Sequence, residues 1–123
     1  MTIIEALDRT DALVPNGYSV HDKIRWLSLL DGIISRDIHM THEDAPMKEP
    51  ISYTDDTSLD TVLLVPHPHD ELYVYFLASR IHYSNEEYPK YNNALIMYNS
   101  LYSKFAASYN SLHTPVGGKI KYF

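Results

Sequence analysis

Apolar residues recur at three- and four-residue intervals over most of this chain, a spacing that predicts amphipathic helices. A first helix is expected over Ile3–Leu13, because Thr2 and Glu5 have the spacing of a capping box. Pro15-Asn16-Gly17 then predicts a turn. The chain is therefore expected to open with a short helix and a tight connection.

A second helix of about 20 residues is expected after Ser19, a residue type that caps helix N-termini. One apolar stripe of this helix is predicted to be buried, and it consists of Val20, Ile24, Leu27, Leu30 or Ile34, and Ile38. The charged residues are assigned to the other faces, namely Lys23, Arg25, Asp31, Arg36 and Asp37. The helix is thus predicted to be buried on one side only.

The helical pattern stops between Thr41 and Asp60, where prolines, acids and hydroxyl residues alternate. A loop of this length is uncommon inside a compact domain and is usually functional or mobile. We expect residues 42–58 to project from the bundle and to contact a neighbouring subunit or line a channel. Asp55 and Asp56 are the candidate channel residues.

Regular structure is expected again after this loop. Thr61–Val65 is β-branched and apolar, which predicts either a short strand or an extended segment laid on the helices. A third helix is expected to begin at Pro68, with Asp70 and Glu71 near the positive end of its dipole. It is apolar over much of its circumference, which predicts a central position.

The fourth helix has the clearest pattern and is expected from Glu87 to Leu112, with Pro89 in its first turn. An a/d-like rhythm places one set of residues on a common face, namely Tyr91, Leu95, Tyr98, Tyr102, Phe105, Tyr109 and Leu112. The four helices together predict an all-α fold, a small four-helix bundle with a long central loop. Residues 1–113 form this predicted domain.

Residues 114–123 are predicted to form an extended C-terminal arm. Thr114-Pro115 stops the last helix, and Gly117-Gly118 gives the arm a hinge. Lysine and apolar residues then alternate, as a strand added to another protein would need. The predicted partner-binding residues are Lys119, Ile120, Lys121, Tyr122 and Phe123.

Composition narrows the function classes. The formal net charge is −6, and an acidic surface makes a poor general binder of nucleic acid, although DNA could slide past it. The absence of cysteine excludes disulfides and thiolate sites. No apolar run approaches the ~20 residues of a membrane span, and no signal-peptide pattern opens the chain, so no membrane partner is expected.

Residue types with catalytic potential are present, but their spacing does not suit catalysis. His67-Pro68-His69 and the pair His39 and His42 lack the one-turn spacing and intervening glutamate of zinc-dependent proteases. The acid pairs lie in a loop or at helix starts, where the dipole alone favours acids. There is no glycine-rich phosphate loop and no nucleophile elbow. We therefore predict no enzyme activity, no metal site and no cofactor.

Tyrosine is unusually frequent, with 11 residues against 3 phenylalanines. It suits surfaces that are buried against partners yet partly wet, although a core built with tyrosine is the alternative interpretation. We expect exposed aromatic residues to form the contacts between subunits. The candidates are Trp26, Tyr73, Tyr75, Tyr98 and Tyr102.

Several stretches of the chain resemble one protein family. They are Tyr18-Ser19 followed by Arg25-Trp26-Leu27-Ser28 and Leu30-Asp31-Gly32, Leu59-Asp60-Thr61, Leu63-Leu64-Val65-Pro66, Asp70-Glu71-Leu72-Tyr73, Tyr91-Asn92-Asn93 and Met97-Tyr98-Asn99. Together they resemble small proteins encoded beside capsid and portal genes in phages and prophages of Gram-positive bacteria. That family is similar to the head-completion adaptors, or head–tail connectors, of long-tailed phages. The resemblance covers nearly the whole chain.

The resemblance implies a structural virion protein that assembles as a ring, commonly of twelve copies, beneath the portal of the phage head. Such a ring prolongs the DNA channel and gives the tail-side stopper, or head-completion protein, its docking surface. DNA passes it without sequence recognition. The implied location is the head–tail interface of a virion assembled in the bacterial cytoplasm, with the arm docked into the portal or an adjacent subunit.

The residues alone leave a second class of function open. A small helical module could sequester a host or phage partner and thereby regulate it. A free monomer in solution with no affinity for portal would favour this alternative over the adaptor.

Overall fold

The computed structural model describes residues 1–41 and 49–112 and has an all-α fold. Its helices, numbered in chain order, are α1 (Ile3–Leu13), α2 (Val20–Asp37), α3 (Leu72–Ser84) and α4 (Tyr88–Leu112), with a 3₁₀ turn at His39–Thr41. The α3 helix packs against each of the other three, which confirms its predicted central position. In the part of the chain that the structure describes, no strand forms, and the one isolated bridge pairs Thr2 with Val62.

The first two helices begin where the sequence predicts. Thr2 Oγ1 accepts from the Glu5 amide at 3.2 Å, and Glu5 Oε1 accepts from the Thr2 amide at 3.0 Å. Ser19 Oγ accepts from the Asp22 amide at 3.1 Å. These bonds satisfy amides that a helix N-terminus leaves without partners, so local sequence is enough to set both starts.

The buried face of α2 is wider than the predicted stripe. Leu30 and Ile34 are both buried, whereas Val20, at the first helical position, is 50 % exposed. Lys23 and Asp31 were assigned to the exposed faces, and both are buried. Each is buried together with partners that satisfy its charge, and for Lys23 the partner is an α1 carboxylate at 2.7 Å.

The prediction that the third helix begins at Pro68 was wrong, because α3 begins at Leu72. Backbone bonds between residues three apart form tighter turns before the helix. The acids placed at the dipole have other surroundings. Asp70 is buried, and Glu71, the N-cap residue of α3, binds Arg9 of α1 at 2.9 Å and no amide of the helix.

Residues 61–65 lie on the bundle as an extended segment, which is the second of the two predicted alternatives. The Ile3 amide donates to the Thr61 carbonyl at 3.0 Å, and the Leu63 amide donates to the Met1 carbonyl at 2.9 Å. The extended segment and the first residues of the chain therefore hold each other in place.

The prediction that the long central loop projects from the bundle was wrong for the part within the described residues. The Ile51 amide donates to Ser35 Oγ and the Tyr53 amide to Ser28 Oγ, each at 2.9 Å. Two serines of α2 thus hold the second half of the loop along this helix, and that half is irregular as predicted. Residues 42–48 lie outside the description.

The fourth helix matches its prediction to within one residue at its start. Six of the seven a/d-like residues are buried or half-buried, and only Leu112, at 75 % exposure, is not. Near its end, Phe105 is buried and the Tyr109 ring stacks on His39 at 4.8 Å. The far end of α4 is thereby packed against the 3₁₀ turn that follows α2.

A buried carboxylate lies at the centre of the fold. Asp31 is fully buried, and its Oδ1 accepts from the Tyr73 hydroxyl at 2.6 Å. Its Oδ2 accepts from the Tyr53 hydroxyl and from the Leu64 amide, the latter at 3.1 Å. The Tyr73 hydroxyl also accepts from the Val65 amide at 2.8 Å. The Asp31 carboxylate of α2 thus binds α3 through Tyr73 and the segment between the two helices through Tyr53 and Leu64.

Burial raises the pKa of Asp31 above its ordinary value, and the three hydrogen bonds oppose that rise. Burial, and then the charge of Asp31, also raise the pKa of Tyr53 and of Tyr73. Both phenols therefore keep their protons at neutral pH and remain donors to the carboxylate.

The C-terminus of α3 has a conformation that usually requires glycine. The Glu87 amide donates to the His82 carbonyl at 2.9 Å and the Glu86 amide to the Tyr83 carbonyl at 3.0 Å, the two bonds of a Schellman motif. Glu86 has a φ of 60°, in the left-handed region that a side chain disfavours. This turn is therefore strained at one residue.

We expect Asp31→Asn to lower the free energy of unfolding by roughly 2–4 kcal/mol. The new amide places a donor against groups that are themselves donors. Urea unfolding measures the loss. Tyr53→Phe, which removes one of the three donors and adds no opposing donor, is the matched control and should cost about 1.5 kcal/mol. A loss for Asp31→Asn no larger than that of the control would contradict the central role of the carboxylate.

The stability contributed by Asp31 is expected to fall with rising pH. Because its folded-state pKa is raised, the native chain binds more protons than the unfolded chain between the ordinary value of 3.8 and the raised value. The difference in unfolding free energy between the wild type and Asp31→Asn should be larger near about pH 4 than near about pH 7. A difference that grows with pH would mean that the pKa is lowered instead.

Glu86→Gly should stabilise the chain by about 1 kcal/mol, since glycine adopts the left-handed conformation without a steric penalty. Thermal unfolding measures the gain. Ser84→Gly, two residues earlier and inside α3, is the control and should cost about 0.5 kcal/mol. Changes of the same sign in both variants would refute the assigned strain.

Candidate partner-binding surface

The five predicted interface residues differ in their exposure. Tyr73 is fully buried, so its prediction as a subunit contact was wrong, because its hydroxyl binds Asp31 in the core. Trp26, Tyr98 and Tyr102 are half-buried and pack against the core. Tyr75 is half-buried and lines a surface groove.

Trp26 is enclosed by neighbouring side chains. The Tyr18 ring meets it edge-on with centroids 5.7 Å apart, and the Arg80 guanidinium lies 5.8 Å from its ring centre. The Tyr18 hydroxyl donates to Asn85 Oδ1 at 2.6 Å. Trp26 therefore joins the α1–α2 connection to the end of α3 and is a weaker candidate for a partner contact.

Tyr98 and Tyr102 belong to the contact between α3 and α4. The Tyr98 ring lies 5.4 Å from Phe76 and 5.9 Å from the Tyr102 ring. Burial raises the pKa of both phenols. Their rings stabilise the bundle, and only their outer edges are open to a partner.

The sequence reading missed an exposed tyrosine group at the α3–α4 turn. Tyr83 is 53 % exposed and its ring lies 6.0 Å from Tyr88 and 5.2 Å from Tyr91. The excess of tyrosine over phenylalanine was the available signal for such a group, but composition does not show where in the chain the group lies.

A groove of about 550 Å³ lies along the contact between α3 and α4, with the end of α1 as its third wall. We call it the seam groove. Its apolar lining consists of Leu13, Val14, Pro15, Tyr75, Ala78, Ala94 and Met97. Leu13 is 54 % exposed and Met97 is 45 % exposed, so apolar surface is open to solvent here.

The end of the seam groove beside the α3–α4 turn is polar. Glu87 Oε1 lies 3.0 Å from His82 Nδ1, and Asn85 Nδ2 donates to the same oxygen at 3.4 Å. Lys90 Nζ donates to Glu87 Oε2 at 3.4 Å. The hydrogen bond with His82 is the main reason that the pKa of Glu87 is lowered, so this end of the groove carries an ionised carboxylate.

A second groove, of about 450 Å³, lies between α2 and residues 50–53. We call it the arginine groove, because Arg25 and Arg36 both line it. Leu29, which also lines it, is 50 % exposed. A Cβ at Gly32 would lie 3.2 Å from a carbonyl oxygen of the 50–53 segment, so glycine permits this close approach.

Two of the remaining predicted site residues lie on the exposed part of the loop after residue 53, and the others lie outside the described residues. Asp55 and Asp56 are exposed, and Asp55 Oδ1 lies 2.6 Å from His21 Nδ1 at the start of α2. Their place beside a channel stays a prediction. The predicted arm residues lie outside the described residues, namely Lys119, Ile120, Lys121, Tyr122 and Phe123.

Truncation should separate the packed tyrosines from the exposed ones. We expect Tyr98→Ala to lower the free energy of unfolding by about 2–4 kcal/mol, since it removes a ring packed between α3 and α4. Tyr83→Ala is the exposed counterpart and should cost less than about 1 kcal/mol. Equal losses, measured by urea unfolding, would mean that the two rings are packed alike.

Within residues 1–41 and 49–112, no group of three His, Cys, Asp or Glu residues is placed to hold a metal ion. Nor does any helix over those residues have the length and hydropathy to cross a membrane. Comparisons with protein-family models, with curated proteins and with solved structures find no match for this chain.

Proposed function

We propose that this chain is a structural subunit of a tailed phage, one copy of an adaptor ring that joins the portal of the DNA-filled head to the tail-side stopper. The proposal starts from the sequence resemblance to head-completion adaptors. An all-α bundle is the fold that this resemblance implies, and the described residues have that fold. In the proposed setting the ring prolongs the DNA channel at the head–tail interface.

The observation that carries the proposal is the pair of different concave surfaces on one small bundle. A closed ring needs two unlike patches on each copy, since head-to-tail contacts join surfaces that are not the same. The seam groove lies among α1, α3 and α4, and the arginine groove lies along α2. Each exposes an apolar residue, Met97 in the first and Leu29 in the second.

The charge of the chain suits a surface past which DNA moves. The formal net charge is −6, and the candidate channel residues Asp55 and Asp56 are exposed. Acidic side chains repel phosphate, so a duplex inside such a ring would remain mobile. Sequence recognition of the DNA plays no part in this function.

A second function is favoured by one observation, the apolar seam groove with its polar end. An amphipathic helix of another protein could lie in such a groove, as in helix-in-groove recognition. In that case the chain would be a monomeric binding or regulatory module. The oligomeric state separates the two functions.

Native mass spectrometry of the full chain, alone and with the portal protein of the same phage, tests the proposal. We expect a ring of this chain on the portal. A chain that stays monomeric and has no affinity for portal would contradict the adaptor function and favour the binding module.

Removing residues 117–123 is the companion experiment. The shortened chain should keep its helical circular dichroism, because it retains all four helices and the buried core of the described residues. It should no longer form the ring on the portal, since the arm is the predicted anchor to the portal or to an adjacent subunit. Undiminished assembly would move the anchor to the helical body.

A further inference from the structure

The seam groove changes in character along its length. At one end Tyr75 and Met97 present apolar surface, and at the other Glu87 presents a carboxylate. Since α3 and α4 run antiparallel, these ends are separated by about 15 Å, the rise of ten residues of α4. A segment of about five extended residues has that length. Glu87 is already paired with Lys90 at the polar end, so the groove suits a short segment whose apolar side chains cover Tyr75 and Met97.

This chain contains such a segment in residues 119–123. Lysine alternates with apolar residues there, so in an extended segment Ile120 and Tyr122 share one face and Lys119 and Lys121 share the other. The apolar face matches the lining of the seam groove. With that face on the lining, Lys119 and Lys121 lie on the side away from the groove, where their charge acts on the acidic body as a whole.

The charges of the body and of the arm are also complementary. The whole chain has 10 basic and 16 acidic residues. Two of the basic residues, Lys119 and Lys121, and none of the acidic residues follow Leu112. Residues 1–112 therefore hold 8 basic and 16 acidic residues, a formal charge of −8, against +2 on residues 113–123. This difference attracts an arm to a body.

The lengths of α4 and of the arm favour an arm from another copy. Met97, at the near end of the seam groove, lies 15 residues before Leu112, which is about 22 Å along the helix. The seven residues from Leu112 to Lys119 span about 23–25 Å when completely extended. A chain's own arm would have to run straight back along α4 to reach even the edge of its groove. An arm from a second copy has no such restriction.

We propose that the seam groove binds residues 119–123 of a second copy of this chain, so that copies join head to tail. The donor surface and the acceptor surface differ, which is the condition for a closed ring. The inference rests on the proposed function in its use of the ring, but the contact itself forms between copies of this chain alone. It also places the anchor of the arm in a neighbouring copy rather than in the portal.

Self-association of the full chain without portal tests the contact, and sedimentation velocity over a range of concentrations measures it. Met97→Lys puts a positive charge where the arm would lie and should weaken association at least tenfold. Ile96→Lys is the matched control, because Ile96 is the adjacent residue, is 65 % exposed and does not line the groove. That variant should associate as the wild type does.

Mixing two defective variants makes the test specific to a head-to-tail contact. Met97→Lys keeps its arm and loses its groove, whereas Ile120→Asp combined with Tyr122→Asp keeps its groove and loses its arm. Each variant alone should be monomeric, and the mixture should give a dimer and nothing larger. If two copies associated through the same patch on each, mixing the two variants would not restore the dimer.

Three results would overturn the proposal: a wild-type chain that is monomeric at every concentration, equal association by Met97→Lys and Ile96→Lys, or no dimer from the mixture. The portal experiment is read separately. A portal-bound ring that Met97→Lys leaves intact would keep the adaptor function and remove the groove contact. Association through the groove without portal binding would keep the groove contact and contradict the adaptor function.

Discussion

The hydrogen bonds to the Asp31 carboxylate are the interaction on which the arrangement of the chain depends. A buried carboxylate loses several kcal/mol of hydration, and only a complete set of donors compensates for that loss. The donors here come from Tyr53, from Tyr73 in α3 and from the Leu64 amide. The Asp31 carboxylate therefore fixes the irregular segment between α2 and α3 at two points, Tyr53 and Leu64. The serines of α2 and the first residues of the chain hold it elsewhere.

The central position of α3 in the bundle explains where the open surfaces lie. With α1, α2 and α4 all packed on α3, the last helix has α3 as its one close helical neighbour in the described residues, apart from the ring contacts of its far end with His39. Along its 25 residues only Ala94 and Phe105 are buried. Such a one-sided helix leaves a groove wherever its neighbour is short, and α1, which ends at Leu13, leaves the seam groove open at that point.

Features set by local sequence were predictable, and features set by distant partners were not. The starts of α1 and α2 follow from caps within four residues, and the face of α4 follows from its own rhythm. The start of α3 was predicted from Pro68, whereas turns closed by backbone bonds between residues three apart precede the helix, which begins at Leu72. The loop lies on α2 through Ser28 and Ser35, two residues with no pattern that marks them.

The position of Asp31 in the sequence is itself a sign of the buried carboxylate, although its charge led to the opposite assignment. Asp31 stands four residues after Leu27 and three before Ile34, inside the buried stripe, yet a charged residue is ordinarily assigned to solvent. A charge at a core position requires buried donors elsewhere in the chain, and an excess of tyrosine over phenylalanine is one source of them.

The frequency of tyrosine consequently has two physical origins in one chain. Tyr53 and Tyr73 are needed for hydroxyls that bind a buried carboxylate, which phenylalanine could not do. Tyr83 and Tyr88 are half-exposed rings in contact with each other, where the hydroxyl keeps an aromatic surface compatible with water. Composition cannot separate these origins, because both use the same amphipathic ring. The separation requires knowing which helix faces hold Asp31, and that is a property of the fold.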